Sequence, residues 1–321
     1  MSSSYSLTSS SSYVTSNSSS VGIASSSSGG ALDCMPQECL AVPECYGHAS
    51  CFGQGTLDVT YLGGTPLNRC GAIRYDTGSL RVSSAAPAAV PQVGERILIL
   101  VMKAQSALST DADLSDGELF NVGKWFVTRV TQVFPFPPDM ALVVDPPLPS
   151  PAIFTNTVVQ YCTVPEFRML TLDVDVEPPH PWNGVSGGVV ALFASELYLN
   201  GHFVNASGAG LTPHDDPNAV NNPICGGAQF PGEGLSTTVA GPSRLRNTLG
   251  GGGGIAGNGG GAGGGNAGAG GQGGLASCTG ATLNEGGAST SPQGARLLLG
   301  GAGGTGAANG GGETDAARGG D

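Results

Sequence analysis

Charge is scarce in this chain. Only 11% of its 321 residues are Asp, Glu, Lys or Arg, under half the share in an average soluble domain. Lysine is almost absent, with Lys103 and Lys124 its only two, and the ten arginines are scattered. A nucleic-acid binder needs a basic stripe to displace phosphate counterions. A net charge of −12 without such a stripe excludes that class. Long apolar runs are missing too: the longest, residues 97–102, is about a third of the roughly 20 residues a membrane-spanning helix needs. No segment holds a 3.6-residue apolar period with caps, and the best helical candidate, residues 111–120, is short. The low charge density points away from an enzyme, and no cofactor is expected.

Glycine, proline and serine are abundant, and they divide the chain. Residues 1–30 are mostly serine, which cannot bury enough apolar surface to offset its ordering entropy, so a disordered tether is expected there. It has no basic n-region or apolar h-region, so it does not read as a signal peptide. Residues 31–90 form a cysteine-rich segment and residues 91–240 an all-β body. Strands are expected at 96–102, 125–133, 141–144, 157–161, 169–174, 189–194 and 197–204, separated by proline-rich turns. The run at 96–102 is continuously apolar, as in a strand buried on both faces. Asn17 and Asn205 each open a glycosylation sequon, which matters only in a eukaryotic secretory setting.

From residue 241 glycine takes over. It fills 17 of the 25 positions from 250 to 274 and 8 of the 13 from 300 to 312. Glycine does not recur at every third position, so collagen is excluded. Two readings are open: a flexible linker, or polyglycine-II strands, left-handed and three residues per turn. In the second, the absent Cβ lets neighbours approach and bond laterally through their main chains. Leu245, Leu249, Leu275, Leu283 and Leu297-Leu298-Leu299 flank the glycine runs, where a free linker would be uniformly polar. They favour strands anchored on the body.

Eight cysteines are present: Cys34, Cys39, Cys45, Cys51, Cys70, Cys162, Cys225 and Cys278. None stands in a paired C-x₂-C knuckle, so no zinc ribbon is expected. An even total in a loop-rich chain fits disulfide stapling in an oxidising compartment; idle thiols in a reduced protein are the alternative. Five of them precede residue 90, so under stapling at least one must reach Cys162, Cys225 or Cys278.

Candidate chemistry is thin. Gly184-Val185-Ser186-Gly187-Gly188 matches G-x-S-x-G, but a nucleophile elbow needs a strand before it and a helix after it. Here prolines precede and a strand is expected to follow. His214, Asp215 and Asp216, with Asn218 and Asn221, offer oxygen ligands for calcium without EF-hand spacing. Asp173, Asp175 and Glu177 fall on one face of an extended segment, where paired carboxylates could serve glycoside hydrolysis or simply be surface acids. His48, His180, His202 and His214 show no metal spacing. Gly53-Gln54-Gly55 lacks the rest of a dinucleotide loop. No catalytic, cofactor-binding or metal residue is assigned.

Residues 94–102, residues 158–167 and above all the segment Pro181-Trp182-Asn183-Gly184 through Leu192, followed by Leu197-Tyr198-Leu199-Asn200-Gly201 through Gly208, carry a likeness. This last pattern resembles the P-x-W-[DN]-G-x-x-G-G-x-x-A-L and L-x-L-N-G-x-I-x-A-S-G signatures of glycine-rich bacterial surface proteins of the adventurous-gliding-motility type. The glycine-rich extracellular region of anaplastic-lymphoma-kinase-type receptors is a more distant likeness. The pattern departs at Gly210-Leu211-Thr212-Pro213, where Gly-Phe-Arg-Gly-Gly is usual. The resemblance implies a secreted or surface-displayed structural module and lends no catalytic residue. The expectation is therefore an all-β sandwich or β-roll with the glycine-rich segment 241–321 packed on it. Trp182 and Gly184 would shape a tight turn, and Asn200-Gly201 would turn between strands. It would work in adhesion, coating, or filament or virion assembly, outside the cell or on its surface, with a protein or glycan partner or a second copy. The alternative is a calcium-dependent carbohydrate-binding or glycoside-active module using the His214 loop, Trp125 and Tyr198.

Overall fold

The computed structural model describes residues 56–76, 78–84, 90–105, 117–148, 150–212, 232–236, 250–251, 262, 264–265, 269–273, 296–299 and 301–303, all within the compact unit Cys34–Asp321. The serine tether, Cys34, Cys39, Cys45, Cys51, Cys225, Cys278 and the His214 loop lie outside them. Among the described residues the chain is all-β. The strands are β1 Asp58–Tyr61, β2 Cys70–Asp76, β3 Ser79–Ser83, β4 Arg96–Ala104, β5 Trp125–Phe136, β6 Asp139–Asp145, β7 Thr157–Thr163, β8 Glu166–Leu172 and β9 Phe193–Tyr198. Of the helical candidate at 111–120 the described part is a 3-10 turn, Gly117–Asn121.

The larger sheet closes on itself as a six-stranded barrel in the order β2-β3-β6-β5-β4-β7, and β1-β8-β9 form a separate parallel sheet. The β4 sequence explains its central place. Ile97, Ile99 and Val101 point into the barrel core with Val82, Phe126, Leu142 and Tyr161. Leu100 and Met102 face outward yet are equally buried, under Trp182, Leu211 and Leu235. A strand covered on both faces needs the unbroken apolar run that the sequence has here. The barrel also recruits β2 and β3 from the cysteine-rich segment, so the body begins well before residue 91.

Closure between β2 and β7 is covalent as well as hydrogen-bonded. Cys70 and Cys162 sit opposite each other in register and form a disulfide across a sequence separation of 92. Both are buried, at 7% and 1% exposure, which keeps reductant away. Removing the bridge in a Cys70→Ser/Cys162→Ser variant is expected to cost about 2–4 kcal/mol. Denaturant titration against the wild type reads this loss.

The expected strand at 189–194 is not a strand until its end. Residues 189–192 run extended between two layers: Val189 and Ala191 pack towards the barrel, and Val190 and Leu192 towards the parallel sheet. At Ala191 a side chain takes the place of a ladder partner. Asn68, 1% exposed, accepts from Ala191 N–H at 3.1 Å and donates to the Ala191 and Thr163 carbonyls. The expected strand at 197–204 likewise divides. It ends at Tyr198, and Asn200 and Gly201, with φ of 51° and 88°, make a tight turn closed by His202 N–H to Leu199 O at 2.8 Å. The turn returns the chain to Val176, which bonds Phe203 and Asn205.

Candidate functional site

The turn after Trp182 is built by Asn183. Its Oδ1 accepts from the N–H groups of Val185 and Ser186, and Gly184 takes the positive φ of 90° that follows. Two further glycines are held by close approach. A Cβ on Gly187 would lie 2.3 Å from the Pro181 carbonyl oxygen, and one on Gly188 2.4 Å from that of Ala209. Beneath them lies Gln160 of β7, fully buried, which accepts from Gly187 N–H at 2.8 Å and donates to Gly187 O and the Met102 sulfur.

Ser186 is thereby a turn residue. It is 6% exposed, and the glycines that follow it lead into an extended segment. Ser186→Ala is expected to leave both the melting temperature and any ester turnover at the wild-type level, since the substitution keeps the N–H that Asn183 uses. A large loss of turnover would contradict this.

Trp182 is buried, at 2% exposure, and its indole N–H donates to both carboxylate oxygens of Glu233, at 3.1 and 3.0 Å. Lys103 of β4 reaches the same carboxylate at 2.6 Å, and Thr212 donates to it through both its N–H and its hydroxyl, at 3.1 and 3.0 Å. Burial acts to raise the Glu233 pKa. The Lys103 charge and the donated hydrogen bonds from Lys103, Trp182 and Thr212 outweigh it, so the pKa lies below the ordinary 4.5. One carboxylate thus joins the barrel, the Trp182 turn and the segment leading from Ala209.

Glu233 also carries the glycine-rich half. Gly232 N–H donates to Gly251 O at 2.8 Å, Gly251 N–H to Ala302 O at 2.9 Å, and Ala302 N–H to Glu233 O at 3.0 Å. Three segments far apart in sequence thus close a ring of main-chain hydrogen bonds. A fourth joins through Gly301 N–H to Gly265 O at 2.8 Å. A Cβ on Gly232, Gly250 or Gly264 would fall 2.0, 2.3 or 1.9 Å from a neighbouring carbonyl oxygen. A second anchor lies at residues 296–299. Leu297 N–H bonds Gly123 O at 2.9 Å, Leu298 and Leu299 pack with Trp182 and Leu119, and Arg296 donates to the Leu119 and Val122 carbonyls. The leucine anchor expected at 297–299 is present; Leu245, Leu249, Leu275 and Leu283 lie outside the described residues.

The other candidates are dispersed. Asp173, Asp175 and Glu177 are exposed, and Asp175 caps the Asn200 turn by accepting from Phe203 N–H at 2.9 Å, with His202 3.4 Å away. His180 faces the Pro181 carbonyl. Trp125 is half-buried between two apolar clusters, so its ring is not an open platform. Tyr198 is 49% exposed and donates to Glu196, the contact that raises its pKa first of all. His48, Gly53-Gln54-Gly55, His214, Asp215 and Asp216 lie outside the described residues. Among the described residues no three His, Cys, Asp or Glu side chains converge, and no helix is long and apolar enough to cross a membrane. One open cavity of about 490 Å³ lies beside the barrel between Val90, Pro91, Val133 and Met140, with Ser84 and Gln92 as its polar lining.

Lys103, Glu233, Gln160 and Asn68 were not singled out by the sequence reading. Two of them left a trace. Lys103 follows directly on the apolar run 97–102, and Glu233 stands alone in Pro231-Gly232-Glu233-Gly234-Leu235. Each is a charge that burial would penalise unless the other met it. Comparison with family models, with curated proteins and with solved structures gives no match.

Proposed function

We propose that this chain is a secreted or surface-displayed structural module, of the kind its likeness to glycine-rich gliding-motility surface proteins implies, and that it serves adhesion or the assembly of a coat or filament. The observation that carries the reading is the ring through Gly232, Gly251, Ala302 and Glu233. Lateral main-chain bonding between Cβ-free segments is what a polyglycine-II-like lattice requires. A lattice so built gives a stiff extension made of backbone, with few side chains to hydrolyse or titrate. The Glu233 carboxylate and the leucines at 297–299 are the roots by which it stands on the barrel. The buried Cys70–Cys162 bridge supports an oxidising location, because cytosolic thiols are kept reduced.

The test is labelling of intact producing cells with an antibody to the barrel, together with thiol counting on the isolated chain. Surface signal without lysis and no more than two free thiols among the eight cysteines are expected. Signal only after lysis, with six or more free thiols, would overturn the reading. The glycan-binding alternative keeps one supporting feature, the exposed Tyr198 beside Glu196. It predicts a glycan-array signal that Tyr198→Ala removes.

A further inference from the structure

The open cavity of about 490 Å³ lies where the segment leading into β4 passes β5 and β6. Its volume falls within the roughly 300–1,000 Å³ typical of small-molecule sites. Val90, Val133 and Met140 line it and also pack against the barrel core, so the cavity adjoins that core. Pro91, which is buried, and Val93, which is 62% exposed, extend the apolar lining.

The lining is held in place. Residues 90–93 end in a turn in which Glu95 N–H donates to Gln92 O at 3.1 Å, and Gly94 takes the positive φ, 91°, that a type II turn requires at its third residue. Gly94 N–H donates to Val130 O at 2.7 Å and ties this turn to β5. The Glu95 carboxylate accepts from Gln92 N–H at 2.7 Å, and Arg69 holds that carboxylate in turn. The Ser84 hydroxyl donates to the Pro138 carbonyl, which joins the end of β3 to the turn between β5 and β6. Elements pinned in this way cannot close over their apolar side chains, and water against such a lining is favourably displaced. A preformed apolar cavity spares a ligand the cost of ordering its own site.

The chemistry of the lining selects the ligand. The carboxylates next to it in sequence are paired, Glu95 with Arg69 and Asp139 with Arg74, so neither calls for a cationic group. The lining itself holds no charged side chain to attract an anion. Ser84 spends its one hydroxyl hydrogen on Pro138 and can only accept, whereas the exposed Gln92 carboxamide can both donate and accept.

We propose that this cavity binds a neutral, mainly apolar small molecule that carries one N–H or O–H group. Its apolar part lies against Val90, Pro91, Val133 and Met140, and its polar group bonds Gln92 or Ser84. The site uses no residue of the glycine-rich half, so it goes beyond the structural role proposed above and stands or falls without it.

The test is fluorescence titration of the full chain with N-phenyl-1-naphthylamine, a neutral probe with one N–H that brightens in apolar surroundings. Saturable brightening at one probe per chain is expected. Gln92→Ala keeps the main-chain bonds to Glu95 and should weaken binding roughly two- to tenfold, the worth of one neutral hydrogen bond. Val93→Glu alters an exposed side chain, so the melting temperature should hold. Binding should nevertheless weaken about tenfold or more, because the probe must desolvate the new carboxylate. Met140→Trp fills the cavity and should abolish the signal. A wild type without saturable brightening, or binding undiminished in Val93→Glu or Met140→Trp, overturns the proposal.

Discussion

Gly264→Val is expected to destabilise the chain strongly, although it adds only three carbons. In a linker the change would be nearly neutral. Here the first of those carbons would fall 1.9 Å from the Gly301 carbonyl oxygen, and the obstacle is backbone, which cannot rotate away as a side chain can. The segments must separate, and Gly301 N–H then loses Gly265 O. Each main-chain group left unpaired in a buried setting costs roughly 1–3 kcal/mol. Separation also draws Ala302 away from Glu233 and Gly251. A fall of several kcal/mol in unfolding free energy is expected, about 2–6 kcal/mol from the first broken pair of groups alone. Gly232→Val, at 2.0 Å from the Ala302 carbonyl oxygen, should behave alike. Calorimetric melting of both variants measures it, and wild-type melting temperatures would refute the close packing.

Glu233→Gln should be comparably damaging for a different reason. Lys103 and Glu233 have side chains only 10% and 14% exposed, so removing the carboxylate charge leaves an ammonium buried without its counter-ion. Breaking such a pair from one side typically costs about 3–5 kcal/mol. Glutamine keeps the shape and one acceptor oxygen, yet five donated hydrogen bonds from Lys103, Trp182 and Thr212 converge on this group and cannot all be satisfied. The same pair sets an acid limit. Because the Glu233 pKa is lowered in the folded state, its contribution is fully present above the unfolded value near 4.5. It is lost as pH falls through the folded value. Wild-type stability should therefore drop below about pH 4.5, and Glu233→Gln should show a smaller drop over that window. Equal pH profiles for the two proteins would contradict the assignment.

Much of the fold was legible because the barrel strands announce themselves. The unbroken run from Ile97 to Met102 could only be covered on both faces, and the β-branched and aromatic stretch from Trp125 to Val133 forms most of β5. Closure into a barrel was not legible, because it depends on β2 and β3, whose sequences Cys-Gly-Ala-Ile-Arg-Tyr-Asp and Ser-Leu-Arg-Val-Ser carry few apolar residues. The extended stretch at 189–192 misled for a physical reason: its apolar alternation is real, with each side half-buried against a different layer, but at Ala191 Asn68 stands where a partner strand would.

The candidate site divides in the same way. The Trp182 turn was readable from Trp-Asn-Gly, since an Asx-type turn and a positive φ are properties of Asn183 and Gly184 themselves. Its meeting with Glu233 and Lys103 was not, because residues 103, 182 and 233 are joined only by tertiary packing. A glycine tract, likewise, reads identically as linker or lattice until its hydrogen-bond partners are known.

Those partners are therefore the most direct test. Hydrogen exchange of the Gly232, Gly251, Gly301 and Ala302 amides, measured on the intact chain at neutral pH, should be slowed to the range of barrel amides such as Val101. Exchange of these four at random-coil rates, with the barrel amides still protected, would show that the glycine-rich half is a tether and not a built part of the molecule.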